Sequence, residues 1–149
     1  MDIIFPSLAL FVFVVLSSLR FQSNHLQWLI FEHNYDIYRI LPNGTQKLNL
    51  TASTKIEYFQ SLSPDGQWII FLRDEDNSRT IYRMRVNGSQ PERLTPPTDP
   101  PYWAQFAAWT PDNQWLLYTF GSNIFRMRPD GTERQPLTDT DRVESVVGA

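Results

Sequence analysis

Asp74, Glu75 and Asp76 stand in a row ahead of Asn77 and are the densest set of oxygen ligands in the chain. Calcium takes about 6–8 oxygen ligands at a defined spacing. The EF-hand pattern is absent here, so the run reads as the solvated tip of a hairpin. Histidine chemistry is confined to His25 and His33. Neither has carboxylate or cysteine partners at ligand spacing, and a three-histidine metal site is impossible. A Ser-His-Asp triad would have to use one of these two. His33 is expected on a loop between two strands. Ser17, Ser18, Ser61, Ser63 and Ser78 include no G-x-S-x-G elbow. No P-loop and no G-x-G-x-x-G occurs. With no cysteine in the sequence, a disulfide scaffold, a thiolate zinc site and a cysteine nucleophile are excluded. No catalytic, cofactor-binding or metal-binding residue is assigned, no cofactor is implied, and the chain reads as a non-enzyme.

The elements that would carry any binding surface come next. A length of 149 residues suggests one domain. Hydrophobic residues at 42% and aromatic residues at 14% are enough to fill a core, and 19% charged residues argue against a disordered chain. A formal charge of −3 argues against a nucleic-acid binder with a broad basic surface.

Residues 3–19 carry no charge, and their apolar centre at 8–16 fits a secretory h-region of about 7–15 residues. The whole run also sits at the lower limit of roughly 17–25 residues for a membrane-spanning helix. Asp2 replaces the expected cation ahead of it, Arg20 follows it, and no A-x-A-like cleavage site follows. Residues 1–24 are therefore expected to be a signal peptide or membrane anchor, forming a hydrophobic helix. A buried N-terminal helix or strand is the alternative.

The rest of the chain repeats itself three times. Gln27-Trp28-Leu29-Ile30-Phe31 recurs as Gln67-Trp68-Ile69-Ile70-Phe71 and Gln114-Trp115-Leu116-Leu117-Tyr118. Asp36-Ile37-Tyr38-Arg39-Ile40 recurs as Thr80-Ile81-Tyr82-Arg83-Met84 and Asn123-Ile124-Phe125-Arg126-Met127. Pro42-Asn43-Gly44-Thr45 recurs as Val86-Asn87-Gly88-Ser89 and Pro129-Asp130-Gly131-Thr132. Leu48, Leu94 and Leu137 are read as closing the units, the last two followed by Thr95 and Thr138. The tryptophans stand 40 and then 47 residues apart. Periods of about 40–45 residues with four strands each mark propeller blades.

The apolar runs are short and rich in Trp, Ile, Phe and Tyr, which is strand composition at strand length. Asn-Gly and Asp-Gly pairs mark hairpins, because these residues tolerate positive φ. The middle unit predicts strands at 56–62, 68–72, 80–86 and 92–94, and the third at 105–109, 115–118, 124–128 and 135–137. The first unit lacks its first strand. Alternation places Ile81, Arg83 and Arg85 on one face and Tyr82, Met84 and Val86 on the other. An arginine inside such a sheet is expected near an edge, paired with a carboxylate or a carbonyl.

Ser63-Pro64-Asp65-Gly66-Gln67-Trp68, followed by Ile81-Tyr82-Arg83-Met84, Asn87-Gly88 and Leu94-Thr95, resembles the WD40-like PD40 repeat. Thr110-Pro111-Asp112-Asn113-Gln114-Trp115 is a second copy. That repeat occurs in the propellers of the TolB family and of prolyl-oligopeptidase and dipeptidyl-peptidase relatives. The resemblance covers roughly residues 26–149. It implies an all-β partial propeller of about three four-stranded antiparallel blades, near 26–50, 55–95 and 104–138 within a region 25–149. Residues 142–147 then read as the first strand of a further blade.

A TolB-like chain implies a non-catalytic protein- or peptide-binding scaffold in the periplasm or outside the cytoplasm. Such a chain has no nucleic-acid partner and touches a membrane only through residues 3–19. Self-association to complete the ring is a further expectation, since an open arc leaves strand edges unpaired. The alternative is the propeller of a serine peptidase without its catalytic domain, and a third reading is a gene remnant with no stable function. The loops expected to meet a partner are 74–79 and 96–103. The prolines of the latter also suit a stiff connector between blades or a polyproline-II segment. Trp103, Trp109 and Tyr102 could line a groove there, though aromatics at such junctions are usually core. Asn43, Asn49 and Asn87 match the glycosylation sequon, two of them within hairpin turns.

Overall fold

A computed structural model describes residues 28–76, 78–96 and 104–139. The expected leader helix, most of the proline-rich connector and the strand at 142–147 lie outside the described residues. Three antiparallel sheets account for the described chain, and no helix occurs among these residues. Sheet I holds β1 (Leu29–His33), β2 (Asp36–Ile40) and β3 (Leu48–Asn49). Sheet II holds β4 (Glu57–Leu62), β5 (Trp68–Glu75), β6 (Ser78–Arg85) and β7 (Glu92–Arg93). Sheet III holds β8 (Ala107–Trp109), β9 (Leu116–Phe120), β10 (Asn123–Met127) and β11 (Gln135–Pro136). Neighbours in sequence are neighbours in each sheet, so every sheet is a simple meander. Among the described residues sheet I has three strands and the others four.

The turns explain the repeated motifs. In sheet II, the Ser63 hydroxyl accepts the amides of Gln67 and Trp68, and Asp65 Oδ1 also accepts the Gln67 amide. In sheet III, Thr110 and Asp112 do the same for Trp115 and Gln114. A hydroxyl two residues before an aspartate is what the turn needs, so threonine replaces serine without loss. In the next turn Asn43, Asn87 and Asp130 each accept the amide two residues on, from Thr45, Ser89 and Thr132. Gly44, Gly88 and Gly131 lie at φ +80, +85 and +82, where a Cβ is strained.

Alternation along the strands gives sheet II two buried faces. Ile69, Phe71 and Met84 of sheet II pack with Ile30, Ile37 and Leu50 of sheet I. Ile70, Leu72 and Ile81 turn the other way and pack with Ala107, Leu116 and Met127 of sheet III. Burying one such isoleucine or leucine stabilises the fold by about 1.5–3 kcal/mol. Across each sheet an aromatic pair stacks: Phe31 on Tyr38, Phe71 on Tyr82 and Tyr118 on Phe125, with ring centroids 5.6, 5.5 and 5.5 Å apart.

Three expectations need correction. β5 and β6 continue past 72 and begin before 80, because Asp74 pairs with Arg79 and Glu75 with Ser78 in the same ladder. His33 is the last residue of β1, opposite Asp36, and not part of a loop. The residue that closes the first unit is Leu50, which is 9% exposed, and not Leu48, which is 44% exposed. The register is fixed by a repeated pair of bonds. Leu50, Leu94 and Leu137 donate their amides to the carbonyls of Ile37, Ile81 and Ile124 at 2.7, 2.8 and 2.7 Å. The following threonines, Thr51, Thr95 and Thr138, accept the amides of the same isoleucines at 3.0, 3.1 and 2.9 Å.

Candidate functional site

One end of the three sheets carries the β1–β2, β5–β6 and β9–β10 tips together with the connectors between sheets. These pieces are tied to one another by backbone. The Glu57 amide donates to the Tyr35 carbonyl at 3.0 Å, and the Ala104 amide to the Arg79 carbonyl at 3.3 Å. Of the two loops expected to meet a partner, 74–79 forms the β5–β6 tip at this end, while residues 97–103 of the other lie outside the described residues.

The acidic row does not converge on a centre. Asp74 is gripped by Arg79 at 2.7 and 3.2 Å and accepts the Tyr58 hydroxyl. Glu75 pairs with Arg93 at 3.0 Å and accepts the hydroxyls of Tyr82 and Thr80. Asp76 meets Lys55 at 2.9 Å in the open. Asp74 and Glu75, adjacent in β5, point to opposite faces, and Asp76 stands in the turn beyond, so the three carboxylates reach three separate cations. Among the described residues no group of three possible ligands could hold a metal ion. The row is a hairpin end held by charge pairs, with hydroxyls filling the remaining lone pairs.

Beneath it lies a buried pair. Glu57 is fully buried and meets Arg73 at 2.7 Å and the Ser53 hydroxyl at 3.0 Å through Oε1. Its Oε2 has no hydrogen-bond partner. Glu32, between sheets I and II, has its carboxyl pushed above the ordinary range by burial, opposed by a bond from the Phe59 amide. The Tyr58 hydroxyl is likewise pushed up, mainly by burial, with Arg79 pulling it down. The Arg79 guanidinium lies 4.1 Å over the Tyr58 ring, so tyrosine, arginine and aspartate form one rigid cluster.

Among the described residues, the exposed aromatics at this end are Tyr35, 59% exposed, and Phe106, 51% exposed. Tyr35 follows Asn34 in a two-residue hairpin with both residues left-handed, at φ 51 and 66. That turn favours Asn-Gly, with glycine in the position that Tyr35 occupies. A tyrosine in this conformation costs about 1–2 kcal/mol relative to the right-handed region.

Asp74 to Arg79 form the expected hairpin tip, between β5 and β6. Tyr35 and Phe106 were missed; Tyr35 could have been found as a bulky residue in the second position of a two-residue turn. The arginines do what the pattern required of them. Arg83 meets Glu92 at 2.7 Å and donates to the Pro129 carbonyl at 2.7 Å. A further role was not foreseen. Arg39 stacks on Trp28, Arg83 and Arg85 on Trp68, and Arg126 and Arg128 on Trp115. The tryptophan of one strand and the arginines of the next thus cap each apolar face at the end away from the connectors.

This architecture of stacked four-strand meanders is that of a β-propeller. No family model matches the sequence. The chain is similar to an uncharacterized protein of Agrobacterium fabrum, 29% identical over 108 residues, covering 72% of this chain and 36% of the relative. Its fold is similar to that of a protein assigned as TolB from Agrobacterium tumefaciens, with a TM-score of 0.64, 22% identity, and 76% of this chain and 42% of that one covered. It is also similar to puromycin hydrolase, with a TM-score of 0.59, 17% identity, and 70% of this chain and 18% of that one covered. The chain therefore spans 42% or less of the length of each. The fold is a TolB-like propeller fold, present here as part of a propeller.

Proposed function

We propose that this chain is a non-catalytic binding propeller, exported or membrane-tethered, that holds a protein or peptide segment at its connector end. Tyr35 is the observation that carries this reading: an exposed tyrosine occupies a backbone conformation that glycine fits better. Strain of this kind collects at functional positions. Tyrosine and phenylalanine are among the residue types enriched in protein interfaces. The uncharged run at 3–19 supports export or tethering.

The test is selection of a displayed random-peptide library against the full chain in detergent. Enriched peptides are expected to bind about tenfold more weakly to Tyr35→Gly and to Phe106→Ala, the loss that follows from truncating an aromatic anchor. Gln114→Ala, at the opposite end, should bind them as the parent does. Failure to enrich any peptide, or affinities indifferent to both aromatic changes, refutes the proposal.

A second reading is the propeller of a serine peptidase, supported by the likeness to puromycin hydrolase. A reading frame encoding G-x-S-x-G with later Asp and His beside this one would favour it.

A further inference from the structure

The two junctions between neighbouring sheets are built alike. Between sheets I and II, the Arg39 guanidinium donates to the Val86 carbonyl at 3.2 Å. Gly88, in the turn after Val86, lies so close to the Leu50 carbonyl that a Cβ there would stand 3.1 Å from it. Between sheets II and III, Arg83 donates to the Pro129 carbonyl at 2.7 Å, and a Cβ on Gly131 would stand 2.8 Å from the Leu94 carbonyl. Each junction thus joins an arginine and a closing leucine on one sheet to a turn carbonyl and a turn glycine on the next. Ile37 and Ile81 lie buried beneath these contacts.

Both halves of a third junction are present on this chain. Sheet III repeats the first half. Arg126 lies on Trp115 and reaches only Gln135 within its own sheet, at 2.9 Å. Ile124 is 43% exposed and Leu137 is 50% exposed, at the positions buried in sheets I and II. Sheet I repeats the second half. A Cβ on Gly44 would meet nothing within 4 Å. Phe31 and Ile40 are half-buried, where Phe71 and Met84, their counterparts in sheet II, are buried.

We propose that sheet III of one copy docks on sheet I of a second copy of this chain through a third junction of the same design. Arg126 donates to the carbonyl of the partner subunit's Pro42, and the Leu137 carbonyl receives the partner subunit's Gly44. Ile124 is covered as Ile37 and Ile81 are. The contact is head-to-tail, and made twice it closes two copies into a ring of roughly six sheets, within the 4–8 that propellers use. The occupant is a second copy because the complementary turn and apolar face are on this same chain. The proposal uses the lateral faces of the sheets and is independent of the partner-binding end.

The full chain in detergent is weighed by sedimentation equilibrium across a concentration series. The wild type is expected to be a dimer. Ile124→Glu puts a charge on a side chain that is exposed within one copy, so folding is spared while the covered state is penalised. Gly44→Asn keeps a residue that tolerates positive φ and adds a Cβ that meets nothing within one copy. Each is expected to weaken the dimer at least about tenfold, with far-ultraviolet dichroism unchanged and the urea midpoint unchanged at concentrations below association. A wild type that stays monomeric overturns the proposal. So does a dimer that neither substitution weakens, which would assign association to the apolar run at 3–19.

Discussion

Thr51, Thr95 and Thr138 perform one task in three surroundings. Each hydroxyl accepts the amide of an isoleucine in the neighbouring strand of its sheet, β2, β6 or β10. In sheet II the bond is buried, whereas in sheet III it is exposed. Leaving a buried amide unpaired costs about 1–3 kcal/mol, while an exposed amide turns to water. Thr95→Val should therefore destabilise the chain by about 1–3 kcal/mol and Thr138→Val by less than about 0.5 kcal/mol, read from urea unfolding. Equal losses would mean that the hydroxyl acts through packing and not through the amide. The same pair shows how a residue-scale reading goes astray. Leu48 and Leu50 are two residues apart on one short strand end, and leucine alone does not say which is buried. The threonine that follows Leu50 carries the information, because only a hydroxyl there can close the bond to Ile37.

At the scale of elements, the four-residue turns act as spacers between sheets, and their glycines differ in what they touch. Gly44 and Gly131 share a left-handed φ, so replacing either with alanine carries a backbone cost of about 1–2 kcal/mol. Gly131 adds a contact that a Cβ cannot satisfy, 2.8 Å from the Leu94 carbonyl, while Gly44 adds none within its own chain. Gly131→Ala should then exceed Gly44→Ala by about 1–3 kcal/mol in urea unfolding of the unassociated chain, the cost of overpacking. A difference near zero would mean that the sheets separate at that turn without penalty. The strands themselves were plain in the sequence, because Trp, Ile, Tyr and Arg recur in fixed order around Asn-Gly and Asp-Gly. The length of β5 and β6 was not. Residues 73–76 look like a polar tip, yet the ladder runs on to Glu75, since Arg73 meets Glu57 and Asp74 meets Arg79 across strands. The arginine clasps were half legible. The donors recur in every unit, but their acceptors are backbone carbonyls on the following sheet, and a carbonyl leaves no mark in a sequence. Tyr35 was missed for a related reason: its conformation is set by a two-residue hairpin, which the expectation of His33 on a loop concealed.

Across the whole molecule, stability follows position in the stack. A sheet in a repeat array gains from each neighbour it covers, so sheet II gains twice while sheets I and III each have one face without a described neighbour. The isoleucine amides report this directly, because Ile37, Ile81 and Ile124 make the same bond to a threonine in each sheet. Local opening of an outer sheet breaks one junction, whereas opening sheet II breaks both. Amide hydrogen exchange at concentrations below association should therefore be slowest at Ile81 and fastest at Ile124, whose side chain is already exposed. Ile37 falls between them, since its side chain is covered by sheet II while the other face of its sheet is only half-buried. Raising the concentration until copies associate should slow Ile124 and leave Ile81 nearly unchanged, because only the outer face gains a cover. Uniform protection at all three amides would instead mean that the sheets open together as one cooperative unit, and that the junctions are as strong as the sheets they join.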